Sequence, residues 1–179
     1  CTAIEMMFSL EKMLEITGDV QWADHLERVA YNALPTQATD DYTARQYYQQ
    51  VNQIECTRNT HRTFSTPHDD TDVVFGLLTG YPCCTTNMHQ AWPKFTQNLW
   101  YATDDDGLAA LVFAPCSVAA TVADGVKVEI KEDTFYPFDE TVKMTVNFPD
   151  KKVKSAYFPL KFRIPGWCEA PVVTVNGEP

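Results

Sequence analysis

Apolar residues recur at helical spacing in the first third of the chain. Ala3, Met7, Leu10 and Leu14 fall at positions i, i+4, i+7 and i+11, which predicts one buried face on a helix. Gly18 is placed to end that helix, and Asp19 to cap a second one. The second helix ends before Pro35, and its predicted apolar face comprises Trp22, Leu26, Val29, Ala30 and Ala33. Two helices joined by a Gly-Asp turn predict an antiparallel hairpin, the repeating unit of helical barrels and solenoids and also of many bundles.

The next segment, residues 36–82, lacks a regular period. Its polar and aromatic part (residues 42–55) could hold a short strand around residues 47–51. Residues 61–72 contain a proline, two histidines and three aspartates. A structureless stretch of this length in a compact protein is more often functional than idle.

Helical periodicity returns after Cys84. The predicted stripe consists of Met88, Ala91, Trp92, Phe95 and Leu99. Pro93 lies inside the stripe, so the helix is either kinked there or begins late, between Asn87 and Trp92.

Beyond the acidic turn at residues 104–107 the period changes to that of strands. Six short β-rich runs follow, at residues 108–114, 117–123, 126–130, 141–148, 156–164 and 172–175. Turn pairs such as Asp124-Gly125 and Asn176-Gly177 separate them. Six short strands at this spacing predict a β-sandwich, with the domain boundary near residues 103–107.

Composition and charge narrow the classes of function. The chain has 179 residues, of which 45% are hydrophobic, enough for a sizeable core in one domain or two small ones. Its formal net charge is -10 and no segment carries a basic stripe, so we expect no nucleic-acid partner. No apolar run approaches the roughly 20 residues that span a bilayer, so we expect no membrane insertion. An acidic surface is compatible with a neutral ligand such as a sugar.

The cysteine pattern is the most unusual feature. The six cysteines are too sparse for a small disulfide scaffold, but Cys83 and Cys84 are adjacent, in a loop that enters a helix. Thr85, Thr86 and Asn87 are all candidate N-caps, and a helix N-terminus favours thiolates. Two adjacent thiolates are stabilised mainly when a soft cation such as zinc bridges them. Three interpretations stay open from these residues: a buried structural pair, a vicinal disulfide, and a metal or nucleophilic site.

Other side chains give weaker signals. His25 is interpreted as a surface residue of the second helix, and His68 as part of a solvated loop beside Asp69 and Asp70. His89 follows the cysteine pair closely and is a candidate for lining the same cleft.

Acidic and aromatic side chains add few further candidates. No carboxylate pair of the usual glycosidase kind stands out, and Glu55 is a weak candidate for a partly buried acid. Flat faces for a sugar are offered by Tyr47, Tyr48, Trp92 and Trp100, although the two tryptophans fit a core role better.

The segment GYPCCTTNMHQAWPKFTQNLW (residues 80–100) resembles the glycoside hydrolase family 127 type of β-L-arabinofuranosidase. The opening CTAI, the helix DHLERVAYN (residues 24–32) and the tail FRIPGW with VNG are similar to further segments of that family, in the same order. The double cysteine together with RIPGW and VNG is fairly specific, and the similarity covers essentially the whole chain.

The resemblance implies an α+β multidomain fragment. Residues 1–103 would form the C-terminal portion of an (α/α)₆-barrel catalytic domain, and residues 107–179 an incomplete β-sandwich domain. It also implies a Zn²⁺ ion held by one Glu and three Cys, here Cys1, Cys83 and Cys84, and a retaining mechanism with Cys83 as the nucleophile. The implied partner is an arabinose-containing oligosaccharide or glycoconjugate. Candidate substrate-binding residues are Tyr48 and His89.

Two implied acids are expected upstream of Cys1: the zinc-binding Glu two positions before it, and the general acid/base. We therefore expect the 179-residue chain alone to be inactive. The chain departs from the family pattern at Tyr81-Pro82. This departure and a slip in the alignment near Tyr48 leave the exact sugar open. The linkage, the compartment and a homodimeric state also stay open.

A rival interpretation is a non-catalytic carbohydrate-binding or structural module in which the cysteines are buried and free of metal. A redox protein that uses Cys83 and Cys84 as a switch is a third interpretation.

Overall fold

The computed structural model describes residues 1–49, 51–53, 56 and 71–178. Glu55, His61 and His68 lie outside the described residues, as does most of the stretch predicted to be a functional loop. The chain forms two compact units, one from Cys1–Lys12 and His25–Thr96, the other from Met13–Asp24 and Gln97–Pro179. No helix in the described ranges has both the length and the apolar character needed to cross a bilayer.

Helix α1 spans Thr2–Thr17, and its predicted buried face is confirmed. Ala3, Met7, Leu10 and Leu14 are all buried. The helix ends at Gly18, whose φ of 65° is left-handed and whose N–H donates to the Leu14 carbonyl at 2.9 Å.

Helix α2 spans Gln21–Arg28 and begins as predicted, because the Asp19 carboxylate accepts the N–H of Gln21 at 3.1 Å. A π-helical turn, Val29–Ala33, follows, in which the N–H of Leu34 bonds to the carbonyl of Val29. The buried residues are Ala23, Leu26, Ala30 and Leu34. The predicted face is confirmed at Leu26 and Ala30, whereas Trp22, Val29 and Ala33 are only half-buried and flank it.

The segment after Pro35 is held by scattered bonds. Arg45 makes isolated bridges with Ala38 and Gly76, and the N–H of Tyr48 donates to the Asp72 carbonyl at 2.8 Å. The predicted strand at residues 47–51 is wrong for the described residues of that range: Tyr48 bonds to Asp72, while the preceding Arg45 and Gln46 bond to Gly76 and Gln37, so these bonds form no ladder.

The cysteine pair opens helix α3, Cys83–Asn87, which passes through a 3₁₀ turn, Met88–Gln90, into helix α4, Ala91–Gln97. Helix α4 begins at Ala91, within the range from Asn87 to Trp92 that the sequence predicts, and the short helix α3 before it was not predicted. Thr85, Thr86 and Asn87 lie within α3 rather than capping it, since Pro82 occupies the N-cap position. Pro93 lies in the first turn of α4, where a missing N–H costs nothing.

The described residues of the second unit contain six strands: β1 (Trp100–Ala102), β2 (Leu108–Ala110), β3 (Cys116–Val122), β4 (Val126–Thr134), β5 (Val142–Asn147) and β6 (Leu160–Phe162). One sheet has the order β1-β2-β6, with β1 antiparallel and β6 parallel to β2. The other is an antiparallel meander, β3-β4-β5. Five of the predicted β runs contain strands, but residues 172–175 carry only a bridge from Val175 to Glu178, and β1 was not predicted.

Both sheets contribute to one apolar core. Leu108 from the first sheet and Val122, Val128 and Ile130 from the second are buried together. Glu132 is buried beside them at 1% exposure, where it accepts hydrogen bonds from Trp100 Nε1 at 3.1 Å and the Ala114 N–H at 3.2 Å. These bonds satisfy a carboxylate whose pKa is raised above its ordinary value, chiefly by burial. Trp100 is thus a core residue, as the sequence favoured.

Candidate thiolate site

Three cysteine sulfurs meet in the first unit. The Sγ atoms of Cys1, Cys83 and Cys84 all lie within 4.8 Å of one another, and those of Cys1 and Cys84 are 3.1 Å apart. Their burial is graded: Cys84 is 2% exposed, Cys1 is half-buried and Cys83 is exposed. The cluster therefore combines one exposed cysteine with one buried cysteine.

The two helix starts bring these sulfurs together. The carbonyl of Cys1 accepts the N–H of Glu5 at 3.0 Å, so Cys1 opens the first turn of α1. Cys83 and Cys84 are the first two residues of α3, and successive residues of a helix point about 100° apart. Cys84 can therefore face inward while Cys83 faces solvent.

The segment before the cysteines is fixed by residues that the sequence did not single out. The buried guanidinium of Arg45 donates to the carbonyls of Thr79 at 2.7 Å and Tyr81 at 2.6 Å, and to Thr85 Oγ1 at 2.8 Å. Gly80 has a φ of 58°, and a Cβ there would lie 2.3 Å from the Tyr47 ring. The only sequence signal was an arginine within an otherwise polar and aromatic stretch.

Tyr48, a predicted substrate contact, lies in the same region. A cavity of about 350 Å³ is lined by Cys1, Tyr47, Tyr48, Gln37 and Gln49, among others. The two tyrosine rings stand edge to face, with centroids 4.9 Å apart. Partial burial, followed by the neighbouring charges of Tyr48, Cys83 and Cys84, raises the pKa of Tyr47. The Tyr47 hydroxyl is therefore a neutral donor and acceptor at ordinary pH.

His89, the other predicted contact, lines a different cavity, of about 300 Å³, whose lining contains no cysteine. Trp92 and Tyr42 lie in the same lining, and the indole N–H of Trp92 donates to the Tyr42 hydroxyl at 2.9 Å. The structure thus brings Tyr48 into a cavity with Cys1 and places His89 in another. His25 is exposed on α2, as expected.

The donor set is compatible with a zinc ion. In a tetrahedral thiolate site with zinc–sulfur bonds of about 2.3 Å, neighbouring sulfurs lie about 3.8 Å apart. Sulfurs within 4.8 Å of one another need only small adjustments to reach that spacing. Thiolates are soft ligands, and a site with three of them binds zinc in preference to magnesium or calcium.

Comparison with known proteins gives the family. The family model described as the β-L-arabinofuranosidase GH127 catalytic domain matches residues 1–97, and that of the GH127 middle domain matches residues 107–179. Because the catalytic-domain model alone matches more than half of the chain, the chain belongs to glycoside hydrolase family 127.

Individual relatives agree with this assignment. The chain is 28% identical over 182 aligned residues to a non-reducing end β-L-arabinofuranosidase from Bifidobacterium longum subsp. longum, covering 100% of this chain and 26% of that protein. A solved GH127 β-L-arabinofuranosidase from Geobacillus stearothermophilus T6 superposes with a TM-score of 0.75 at 27% identity, covering 98% of this chain and 26% of that one. A second solved chain, described as a glycoside hydrolase, shares the fold with a TM-score of 0.73 at 23% identity, covering 100% of this chain and 28% of that one. The chain thus spans about a quarter of the length of the relatives it matches.

Proposed function

We propose that the protein carrying this chain is a retaining exo-glycoside hydrolase that releases β-L-arabinofuranose or a related sugar, with Cys83 as the nucleophile. The observation that carries this proposal is the cluster of three sulfurs within 4.8 Å, of which only Cys83 is exposed. Membership of a family whose compared relatives are named β-L-arabinofuranosidases supports the substrate class.

Cys1, Cys83 and Cys84 are the residues that would hold Zn²⁺. A bound zinc ion would keep the thiols deprotonated at neutral pH, which supplies the anion that a sulfur nucleophile requires. The enclosed position of Cys84 and the half-buried position of Cys1 suit ligands that stay in place, whereas the exposed Cys83 suits a ligand that also reacts.

The reaction would proceed by two displacements at the anomeric carbon. The Cys83 sulfur forms a bond to that carbon as the glycosidic C–O bond breaks, and a general acid gives its proton to the departing oxygen. Water then attacks the same carbon, the conjugate base of the general acid takes the proton that the water loses, and the Cys83 sulfur leaves as a thiolate. Two inversions give net retention of configuration. By the resemblance described above, the general acid belongs to a segment upstream of Cys1.

The cavity that Cys1 helps to line supplies the sugar-binding surface in this proposal. Tyr47 and Tyr48 present aromatic faces, and Gln37 and Gln49 present amide groups that can bond to sugar hydroxyls. The wider architecture we propose is the C-terminal part of an (α/α)₆ barrel in residues 1–103, followed by a β-sandwich from residue 107. The mixed helical and two-sheet structure and its GH127 structural neighbours support that arrangement.

Kinetics of a Cys83→Ala variant of the protein carrying this chain test the proposal, with an aryl β-L-arabinofuranoside as substrate. Removing the nucleophile should lower kcat/KM on the order of 10⁴-fold or more, as in other enzymes that lose a nucleophile. Cys168→Ala, at a cysteine in the second unit, is the matched control and should leave the rate unchanged. If the Cys83→Ala enzyme turned over at the wild-type rate, Cys83 would have no part in the mechanism.

A further inference from the structure

We propose that Arg45 is the positioning residue of the cysteine pair: its guanidinium sets the main chain of residues 79–85 and thereby holds Cys84 against Cys1. This inference rests on the proposed function only for its consequence in catalysis. The geometry that it explains, the approach of two sulfurs distant in sequence, is independent of the reaction.

Three nitrogens of one rigid group bracket the cysteines. Nη1 and Nη2 donate to the carbonyls of Thr79 and Tyr81, which precede the pair, and Nε donates to the hydroxyl of Thr85, which follows it directly. A guanidinium is planar, with its donors in a fixed fork, so fixing one acceptor constrains the other two. The backbone on both sides of Cys83 and Cys84 is therefore held from a single point.

The main chain of Arg45 is fixed to the same segment. Its N–H and carbonyl exchange hydrogen bonds with Gly76, at 3.1 and 3.0 Å, and its carbonyl also accepts from Thr79 Oγ1 at 3.1 Å. Since Arg45 is 3% exposed, a guanidinium without these acceptors would be desolvated with nothing to replace its bonds to water. The burial thus makes the three bonds obligatory rather than incidental.

The Thr85 hydroxyl extends the connection. It accepts from Arg45 Nε and donates to the Leu77 carbonyl at 2.7 Å, which joins the first turn of α3 to the segment before it. Because the Sγ atoms of Cys1 and Cys84 are only 3.1 Å apart, an error of about 1 Å in the start of α3 would separate them appreciably.

The test measures disulfide formation between Cys1 and Cys84 in metal-free protein, using the protein that carries this chain with Cys83→Ala to remove the competing neighbour. Diamide is the oxidant: it takes two electrons and two protons from the two thiols as the S–S bond forms. Arg45→Met keeps an unbranched apolar stem but removes the guanidinium and its donors. It should slow crosslinking about tenfold or more, since misplacement by about 1 Å has effects of that order.

Two further variants sharpen the test. Arg45→Lys keeps the charge without the fork and should fall between Arg45→Met and wild type. Arg28→Met, at an exposed arginine on α2, is the matched control and should crosslink at the wild-type rate. Zinc affinity is measured in the same Arg45 and Arg28 variants, but with Cys83 present. Arg45→Met should bind zinc about 10- to 100-fold more weakly than the wild type.

Melting temperatures separate positioning from general stability. Wild-type crosslinking by folded Arg45→Met, at temperatures well below its midpoint, would overturn the proposal, as would an Arg45→Lys rate equal to wild type. If Arg45→Met does not fold, Thr85→Val decides, because it removes the acceptor of Arg45 Nε together with the bond to the Leu77 carbonyl, and so breaks the connection between Arg45 and the first turn of α3: slower crosslinking supports the proposal and an unchanged rate overturns it. The proposed function fails on a different result, wild-type activity of Cys83→Ala, so the two failures are distinguishable.

Discussion

The sulfurs of Cys1 and Cys84 lie 3.1 Å apart although 83 positions separate them in the chain. Each residue stands at the start of a helix, Cys1 before α1 and Cys84 in the first turn of α3. The site is therefore a product of tertiary structure rather than of a local motif, and substitutions that disturb either helix start should be felt at the sulfurs.

Gly80→Ala should be among the more disruptive substitutions near the site. The left-handed φ of 58° opposes any Cβ, and the added methyl would lie 2.3 Å from the Tyr47 ring. We expect a loss of about 2 to 4 kcal/mol in the free energy of unfolding, combining backbone strain with overpacking. Denaturant titration measures it.

Gly18→Ala is the control for Gly80→Ala. Gly18 has a similar φ of 65°, but a Cβ there would meet nothing within 4 Å. The free energy of unfolding of Gly18→Ala should fall only by the cost of backbone strain, about 1 kcal/mol. Equal losses at the two positions would show that the contact with Tyr47 is unimportant.

Asp24→Ala should destabilise the second unit. The Asp24 carboxylate accepts from the buried Arg163 guanidinium and from the Gly166 N–H at 3.1 Å, and Arg163 also lies over the Phe113 ring at 5.3 Å. Removing one partner of a buried pair leaves a charge in a desolvated place, which costs about 3 kcal/mol or more. Thermal unfolding of the variant measures the loss.

The matched control uses an exposed pair. Asp133 and Lys131 form a salt bridge at 2.6 Å in which both side chains are at least half exposed. Asp133→Ala should therefore change stability by less than about 1 kcal/mol. A comparable loss in the two aspartate variants would contradict the structural role assigned to Asp24.

Glu11→Gln should change how stability depends on pH. Glu11 is fully buried in α1, and burial raises its pKa from 4.5 to about 7, against opposing effects of Lys12 and Lys94. The folded state then binds the proton more tightly than the unfolded state. The stability from this group is complete below pH 4.5 and is lost as the pH rises through about 7.

The Glu11→Gln variant has no carboxyl group at this position, so it does not lose stability in this way as the pH rises. Between pH 4.5 and 8 the difference in unfolding free energy should therefore shift in favour of Glu11→Gln, by up to about 3 kcal/mol. Urea titrations across this range measure the shift, with the exposed Glu15→Gln on the same helix as the reference profile. If the difference in unfolding free energy between Glu11→Gln and the wild type did not change with pH, the conclusion that Glu11 is buried and protonated would be wrong.

Helix periodicity and turn residues made much of the fold predictable. The stripe from Ala3 to Leu14 is confirmed because burial repeats with the helical period, and Gly18 ends the helix because only glycine adopts its φ at no steric cost. The π turn after Arg28 was not predictable, since an i+5 hydrogen bond has no signature in residue spacing. Strand β1 was missed because its three residues directly follow the helical stripe that ends at Leu99.

The candidate site was also predictable only in part. Adjacent cysteines before a helical pattern mark unusual chemistry, and the family resemblance named Cys1 as their partner; the structure places the three together. Arg45 could not be found from sequence because two of its three acceptors are main-chain oxygens, which every residue has. The role of Arg45 depends on which main-chain carbonyls the fold brings to its guanidinium, and sequence patterns do not show this.

Metal analysis of the protein carrying this chain, purified under reducing conditions, tests the central claim most directly. We predict about one zinc per chain in the wild type and loss of most of it in Cys84→Ser, which removes the enclosed ligand. The Cys116→Ser control, at a thiol in the second unit, should retain the metal. A folded wild-type protein without zinc, or a Cys84→Ser variant that keeps its full zinc content, would contradict the account.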